Sequence, residues 1–247
     1  MPKNRFLLSA ALAPALFLNT ALVSAEASND ELGFHGSGEA GFNQKTGNVN
    51  SESLLARLSI NYSQIQNDYK GLLEIENKTE QDVKVSERYV LDLQADRYFT
   101  EDKNYYAFVN ARGEQDEIAG LDQDVSLTLG LGKVLYRTSQ TRLSTELGLG
   151  YQEVDYVNDS ENDFNQTTGR AKLDFSHKFN DNVRFVQDLT YFTGAEQYKT
   201  ESHSSLRVAL NSKLSVSTSY KYRYNSNPAD AAKKTDTETS LSLIYSF

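Results

Sequence analysis

Hydrophobic and polar residues alternate along almost the whole chain. Within residues 50–62, Leu54 and Leu58 fall on one face of an extended chain, and Ser53 and Arg57 fall on the other. A period of two residues is typical of a β-strand whose two faces meet different surroundings. The pattern therefore predicts an all-β protein.

Twelve segments carry this alternation, and most run to about 10 to 13 residues, the length that a tilted strand needs to cross a bilayer. Strands of soluble domains average about 5 to 6 residues. Because backbone N–H and C=O groups in lipid must all be paired, a membrane-spanning sheet must close on itself. We therefore predict a transmembrane antiparallel β-barrel of about 12 strands, of the outer-membrane type. The segments are 33–43, 50–62, 69–79, 85–99, 105–115, 121–135, 142–152, 166–178, 183–193, 203–212, 214–224 and 237–247.

Short and longer connections alternate between these segments. Tight turns are predicted at places such as 138–140 and 180–182, and this alternation is typical of outer-membrane barrels, with short periplasmic turns and longer external loops. The connection at 44–49 is an exception, since it is short although it should be external. The predicted longer connections are polar or acidic and comprise residues 79–84, 115–120, 153–165, 194–202 and 225–236.

The N-terminus has the layout of a secretory signal. Lys3 and Arg5 precede an apolar run, which ends before small residues around Ala25. That order of basic, apolar and small residues is typical of a signal peptide. We predict a signal peptide over residues 1–25, cleaved near Ala25, and an outer-membrane barrel domain over residues 26–247. The predicted location is the outer membrane of a Gram-negative bacterium.

Composition and charge exclude several classes of function. The 247 residues include no cysteine, and 25 Lys and Arg stand against 34 Asp and Glu, for a formal net charge of −9. The negative charge repels phosphate backbones, so nucleic acid is not an expected partner. The lack of cysteine excludes disulfides, thiolate metal sites and a cysteine nucleophile. We expect no cofactor.

The strand register predicts a lumen lined by charges of both signs. Acidic residues concentrate in the third to seventh strands and basic residues mainly in the eighth to eleventh. One interpretation is a narrow passive channel for small hydrophilic or zwitterionic solutes, and the other is a plug of salt bridges that satisfies buried charges. The principal lumen candidates are Glu74, Glu76, Asp92, Asp96, Arg112, Arg170, Lys172, Arg184, Arg207 and Arg223, and the same register adds Glu39, Arg57, Glu114, Asp122, Asp124, Glu146, Asp174, Asp188, Lys221 and Glu238.

Enzymatic activity is the competing hypothesis. Of the 3 histidines, only His203 is predicted near the external rim, and Ser202, Ser204 and Ser205 lie beside it. Catalysis by a lipase or protease needs a base next to a nucleophile or a water. No recognisable catalytic motif surrounds these serines, so we predict that the chain is not an enzyme and keep a rim hydrolase as the alternative. A third hypothesis is a soluble periplasmic β-protein that binds a ligand in a sandwich or calyx.

The acidic segment Asp155–Asp163 offers oxygen ligands of the kind that Ca²⁺ prefers. It lacks the residue order and the glycine of an EF-hand loop. We interpret it as a hydrated external loop, and we predict no metal site.

Three glycine-rich blocks resemble a known family. They are Gly36-Ser37-Gly38-Glu39-Ala40-Gly41-Phe42, Leu127-Thr128-Leu129-Gly130-Leu131-Gly132-Lys133 and Leu147-Gly148-Leu149-Gly150-Tyr151. Together with the block from Asp92 to Phe99, they are similar to the family described as salt-induced outer-membrane proteins, whose domain has no assigned function. The resemblance implies an outer-membrane barrel and a link to the salt or osmotic response. It implies no substrate and no catalytic residue.

The C-terminus ends in an aromatic pattern. Tyr245 and Phe247 alternate with serine at the end of the last predicted strand. This ending resembles the signal that the barrel-assembly machinery reads in Gram-negative outer-membrane proteins. The expected partners are therefore that machinery, outer-membrane lipids with lipopolysaccharide, and small solutes, with the oligomeric state open.

Overall fold

The computed structural model of the chain describes residues 32–45, 51–158, 163–229 and 232–247. The predicted signal peptide, most of the connection at 44–49 and the middle of the acidic segment Asp155–Asp163 lie outside these ranges. No helix among the described residues is long and apolar enough to span a membrane.

Twelve antiparallel strands and a single turn of 3₁₀ helix, Glu117–Ala119, make up the described regular structure. The strands are β1 Gly33–Lys45, β2 Ser51–Ser63, β3 Asn67–Glu80, β4 Val83–Tyr98, β5 Tyr105–Asp116, β6 Leu121–Arg137, β7 Thr141–Tyr156, β8 Phe164–Lys178, β9 Val183–Thr193, β10 Tyr198–Ala209, β11 Leu214–Asn225 and β12 Thr235–Ser246.

These strands form a closed barrel in which each strand pairs with its neighbours in sequence. The last strand closes onto the first, with Gly38 opposite Tyr245 and Phe42 opposite Leu241. Closure leaves no strand edge with unpaired backbone groups, which is what a sheet in lipid requires. The predicted barrel of about 12 strands is confirmed.

The two faces of the barrel are the reverse of those of a soluble protein. The outer face carries the large apolar side chains, and Leu149, for example, is 72% exposed. The inner face holds buried polar side chains such as Glu146 and Asn110, each 1% exposed. An apolar surface this extensive is typical of a protein whose outer face meets lipid.

Aromatic side chains ring the outer face at both ends. Tyr62 and Tyr69 stack near one rim with ring centroids 6.3 Å apart, and Tyr198 and Tyr224 stack near the other at 5.6 Å. Such girdles mark the two interfaces of a bilayer. Because short turns face the periplasm in barrels of this type, we call the end that carries Tyr62 and the C-terminus the periplasmic end.

All five of the predicted longer connections are shorter in the structure, because the flanking strands extend into them. Strands β3 and β4 are joined by Gln81 and Asp82 alone, both with positive φ (51° and 63°), which is the two-residue hairpin turn that continues the strand twist. Strand β10 begins at Tyr198, so the predicted loop over 194–202 was wrong in its second half. Residues 79–82 and 199–202 are all polar or charged, so no apolar alternation marks these parts of the strands.

Candidate functional site: the charged lumen

Ion pairs cross the external half of the lumen between strands that are not neighbours. Lys221 on β11 lies 2.9 Å from Glu74 on β3, and Arg223 on β11 lies 3.2 Å from Glu76. Because the partners stand on separate walls, these pairs bridge the lumen rather than line it. We call the full set the cross-lumen layer, which consists of Glu74, Glu76, Arg88, Arg112, Glu114, Asp124, Lys199, Glu201, Lys221 and Arg223.

Arg88 ties the layer together. Its guanidinium lies 2.6 Å from Glu114 and 3.0 Å from Glu74, and its side chain is only 7% exposed. Arg112 adds the second link, since its Nη2 donates to both carboxylate oxygens of Glu201 at 2.9 and 3.0 Å. Buried charges are stable only when they are paired and hydrogen-bonded in this way. These contacts join the layer into one network, apart from the separate pair of Lys199 and Asp124.

Residues 226–229, which follow β11, contact the external end of β7 and the start of β10. Val154, Tyr156 and Ala229 pack together and are almost fully buried. The hydroxyl of Tyr156 donates to the carbonyl oxygen of Asn227 at 2.9 Å, and Gln197 donates to the same oxygen at 2.8 Å. Residues 226–229 and the cross-lumen layer therefore lie together in the external half of the barrel.

A second polar cluster fills one side of the periplasmic half. Glu146 accepts hydrogen bonds from Gln94 at 2.8 Å and from the Tyr106 hydroxyl at 3.0 Å, and it pairs with Arg170 at 2.8 Å. Arg170 also lies over the ring of Phe108, 5.1 Å from its centroid. This cluster packs against the wall formed by β4 to β8.

The remaining side of the lumen holds a cavity of about 660 Å³. Its lining begins with His35, Ser37 and Phe247 at the periplasmic end and reaches Arg88 and Arg223 in the cross-lumen layer. The cavity therefore extends along the lumen from the periplasmic end to the cross-lumen layer.

All of the principal lumen candidates lie on the inner face of the barrel, in three groups. Glu74, Glu76, Arg112 and Arg223 belong to the cross-lumen layer. Asp92, Asp96, Arg170 and Lys172 pair with Arg112, Lys70, Glu146 and Asp174 respectively. Arg184 and Arg207 stand opposite each other near the periplasmic end. Of the additional residues from the same register, Asp122 is exposed where the pairing of β6 and β7 becomes irregular.

Sequence reasoning missed further lumen charges, among them Lys70, Arg88, Lys178, Lys199 and Glu201. The first three lie inside the predicted strands, on the same face as the predicted lumen charges, so the same register could have found them. The other two precede the predicted start of β10 and were therefore assigned to a loop.

The geometry around His203 gives the hydrolase alternative no support. The residue lies within β10 on the lumen face, not at the rim, and its Nδ1 is 3.7 Å from the Asp188 carboxylate. Ser202 and Ser204 alternate with it onto the outer face, where both bond to Gln187. A nucleophile from either serine would have to reach through the wall of the barrel.

A closed barrel with an apolar outer face and a charged lumen has the fold of outer-membrane channels. The structure is similar to the NanC porin, with a TM-score of 0.54 and 11% identity over 86% of this chain and 98% of that chain. It is also similar to the COG4313 outer membrane channel from Pseudomonas putida F1, with a TM-score of 0.56 and 11% identity over 90% of this chain and 100% of that chain. No curated protein matches the sequence.

The family model described as protein of unknown function, DUF481, matches residues 38–247. The chain belongs to this family.

Proposed function

We propose that this protein is an outer-membrane channel of low conductance for small hydrophilic solutes. The observation that carries the proposal is the lumen itself, which combines a cavity of about 660 Å³ with a lining of charged side chains. Charged and polar linings of narrow pores select solutes by size and charge. The porin-like fold supports the same conclusion, as it supports location in the outer membrane.

The cross-lumen layer limits the conductance. Its ion pairs occupy the external half of the pore, so solutes pass only where these pairs separate or leave space beside them. A barrel in which the layer never opens would be a structural envelope protein, the plug that the sequence also allowed.

Single-channel recording distinguishes a channel from a structural envelope protein. We expect the full-length protein, purified from membranes and inserted in a planar bilayer, to give small discrete steps with a measurable reversal potential in a salt gradient. The double variant R112A/E201A removes both partners of one cross-lumen ion pair. Asp92 and Glu114 also lose Arg112, but they still accept hydrogen bonds from Asn110 and Arg88. The conductance of this variant should therefore increase.

A matched control removes an ion pair outside the lumen. Lys84 and Glu87 lie 2.6 Å apart, and both are part-exposed near the external end of β4. The variant K84A/E87A should conduct like the unmodified protein. Electrical silence from protein that shows the heat-dependent band shift of a folded barrel, in both the unmodified and R112A/E201A forms, would refute the channel.

The family resemblance adds a proposal about regulation. A role in the salt or osmotic response requires that the amount of protein in the membrane rise after a shift to high salt. Quantitative immunoblotting of membranes before and after the shift tests it, and an unchanged amount would contradict it.

A further inference from the structure

Two arginines face each other across neighbouring strands at the periplasmic end of the lumen. Arg184 on β9 is directly paired with Arg207 on β10. Directly opposite residues on antiparallel strands have their Cβ atoms about 5 Å apart, and like charges in this position are destabilising. Lys178 on β8 is in turn directly opposite Arg184, so three cations form one row across three strands. We call these residues the basic row.

The basic row differs from the other lumen cations because its members form no ion pairs. Nine other cations, Arg57, Lys70, Arg88, Arg112, Arg170, Lys172, Lys199, Lys221 and Arg223, each form an ion pair. Among the described residues, Lys178, Arg184 and Arg207 form none. The Nε of Arg207 donates to Ser205 at 3.1 Å, and that bond leaves the two terminal amino groups of the guanidinium for another acceptor.

The row lies next to a cavity with an excess of positive charge. Arg207 lines the cavity, and the complete lining contains nine Lys or Arg residues but four Asp or Glu residues. The other eight of those cations each form an ion pair, whereas Arg207 forms none among the described residues. An arrangement that opposes folding is expected at a functional position rather than in a purely structural one.

We propose that Arg184 and Arg207, with Lys178 beside them, bind an oxyanion at the periplasmic mouth of the lumen. The ligand class is a small soluble solute that carries a carboxylate or phosphate group. Guanidinium groups match the geometry of both anions because they donate parallel hydrogen bonds to two oxygens. If the site exists, small oxyanions are the substrate class of the proposed channel. Binding of the oxyanion does not depend on the proposed channel function, but its transport does.

Calorimetric titration of the detergent-solubilised protein tests binding without any assumption about transport. Inorganic phosphate and malonate serve as probes, with chloride as the competing simple anion. Hydrogen bonds to charged groups correspond to at least about a tenfold change in affinity. We therefore expect R184Q and R207Q each to weaken the binding of phosphate or malonate by about tenfold or more.

The control variant is K213Q. Lys213 lies in the periplasmic turn between β10 and β11, outside the lumen and over the ring of Tyr245. Its substitution removes the same charge from the same end of the barrel, so affinity should not change. Unchanged affinity in both R184Q and R207Q would overturn the site, as would an equal loss in K213Q.

A second readout separates the site from misfolding. Loss of either arginine removes a like-charge contact, so the urea midpoint of R184Q and R207Q should equal or exceed that of the unmodified protein. In a bilayer with a salt gradient, R184Q/R207Q should shift the reversal potential toward cations.

The two proposals can fail independently. If R184Q/R207Q conducts and keeps both the anion affinities and the reversal potential of the unmodified protein, the site is refuted and the channel is not. A protein that never conducts, yet loses phosphate or malonate binding in these variants, would support the site and refute the channel.

Discussion

The backbone N–H of Gly36 donates to the carbonyl oxygen of Phe247 at 2.8 Å, and the N–H of Phe247 donates back to the carbonyl oxygen of Gly36 at 2.9 Å. The aromatic ring of Phe247 lies against Gly36, in the space that a Cβ atom on residue 36 would need. Gly36 on β1 and Phe247 therefore pack closely against each other where the barrel closes.

Substitution of Gly36 tests this fit. In G36V the branched side chain displaces the Phe247 ring from the seam, so the free energy of unfolding should fall by about 1 kcal/mol. Urea titration followed by circular dichroism measures the change. Gly38 provides the control, because a Cβ there meets no atom within 4 Å. An equal loss in G38V would show that strand propensity, and not the ring, is responsible.

The terminal aromatic residue should act during assembly as well as in the finished barrel. The predicted assembly signal includes Phe247, so we expect F247A to reduce the amount of heat-modifiable protein in the membrane several-fold. L241A removes a similarly exposed side chain from the same outer face of β12. If L241A lowers the assembled amount as much as F247A does, the terminal residue has no special role.

Glu146 should be the most sensitive carboxylate of the periplasmic half. E146A leaves Arg170 buried without its charge partner, and such a loss costs about 3 kcal/mol. E146Q retains an acceptor for Tyr106 and Arg170, so its loss of unfolding free energy should be smaller. The double variant E146A/R170A removes both charges, and its urea midpoint should lie above that of E146A. A midpoint below that of E146A would contradict the pairing.

Gly132 should not tolerate a side chain. A Cβ at this position would overlap the ring of Tyr106, which lies flat against β6. G132A should therefore lower the unfolding free energy by about 2 kcal/mol through overpacking. Gly113 on β5 provides the control, because a Cβ atom there would meet no atom within 4 Å. The urea midpoint of G113A should stay close to that of the unmodified protein, and a similar fall in both variants would argue against a steric cause.

The sequence was sufficient to predict the strands and to assign residues to the outer and inner faces of the barrel, because both follow from local alternation. The outer face of β2 carries Leu54 and Leu58 and its inner face carries Ser53 and Arg57, as their spacing predicts. Alternation failed where both faces are polar. At the start of β10, Thr200 and Ser202 face outward while Glu201 faces the lumen, so nothing in the local pattern marks a strand.

The ion pairs of the lumen were beyond local reasoning. Lys221 and Glu74 are separated by 147 positions in the chain and meet only because the barrel closes. The register placed both residues on the inner face, but it gave no information about which wall each would reach. The distinction between paired cations and the unpaired basic row therefore emerges only in three dimensions.

The cross-lumen ion pairs lie in one half of the barrel only, so the lumen is asymmetric along its axis. In an asymmetric pore with charged walls, mobile ions accumulate under one polarity of the applied voltage and are depleted under the other. Current through the proposed channel should therefore rectify, with its direction fixed by the orientation of the protein in the bilayer. The position of the cross-lumen layer along the lumen would then set the polarity at which more current passes.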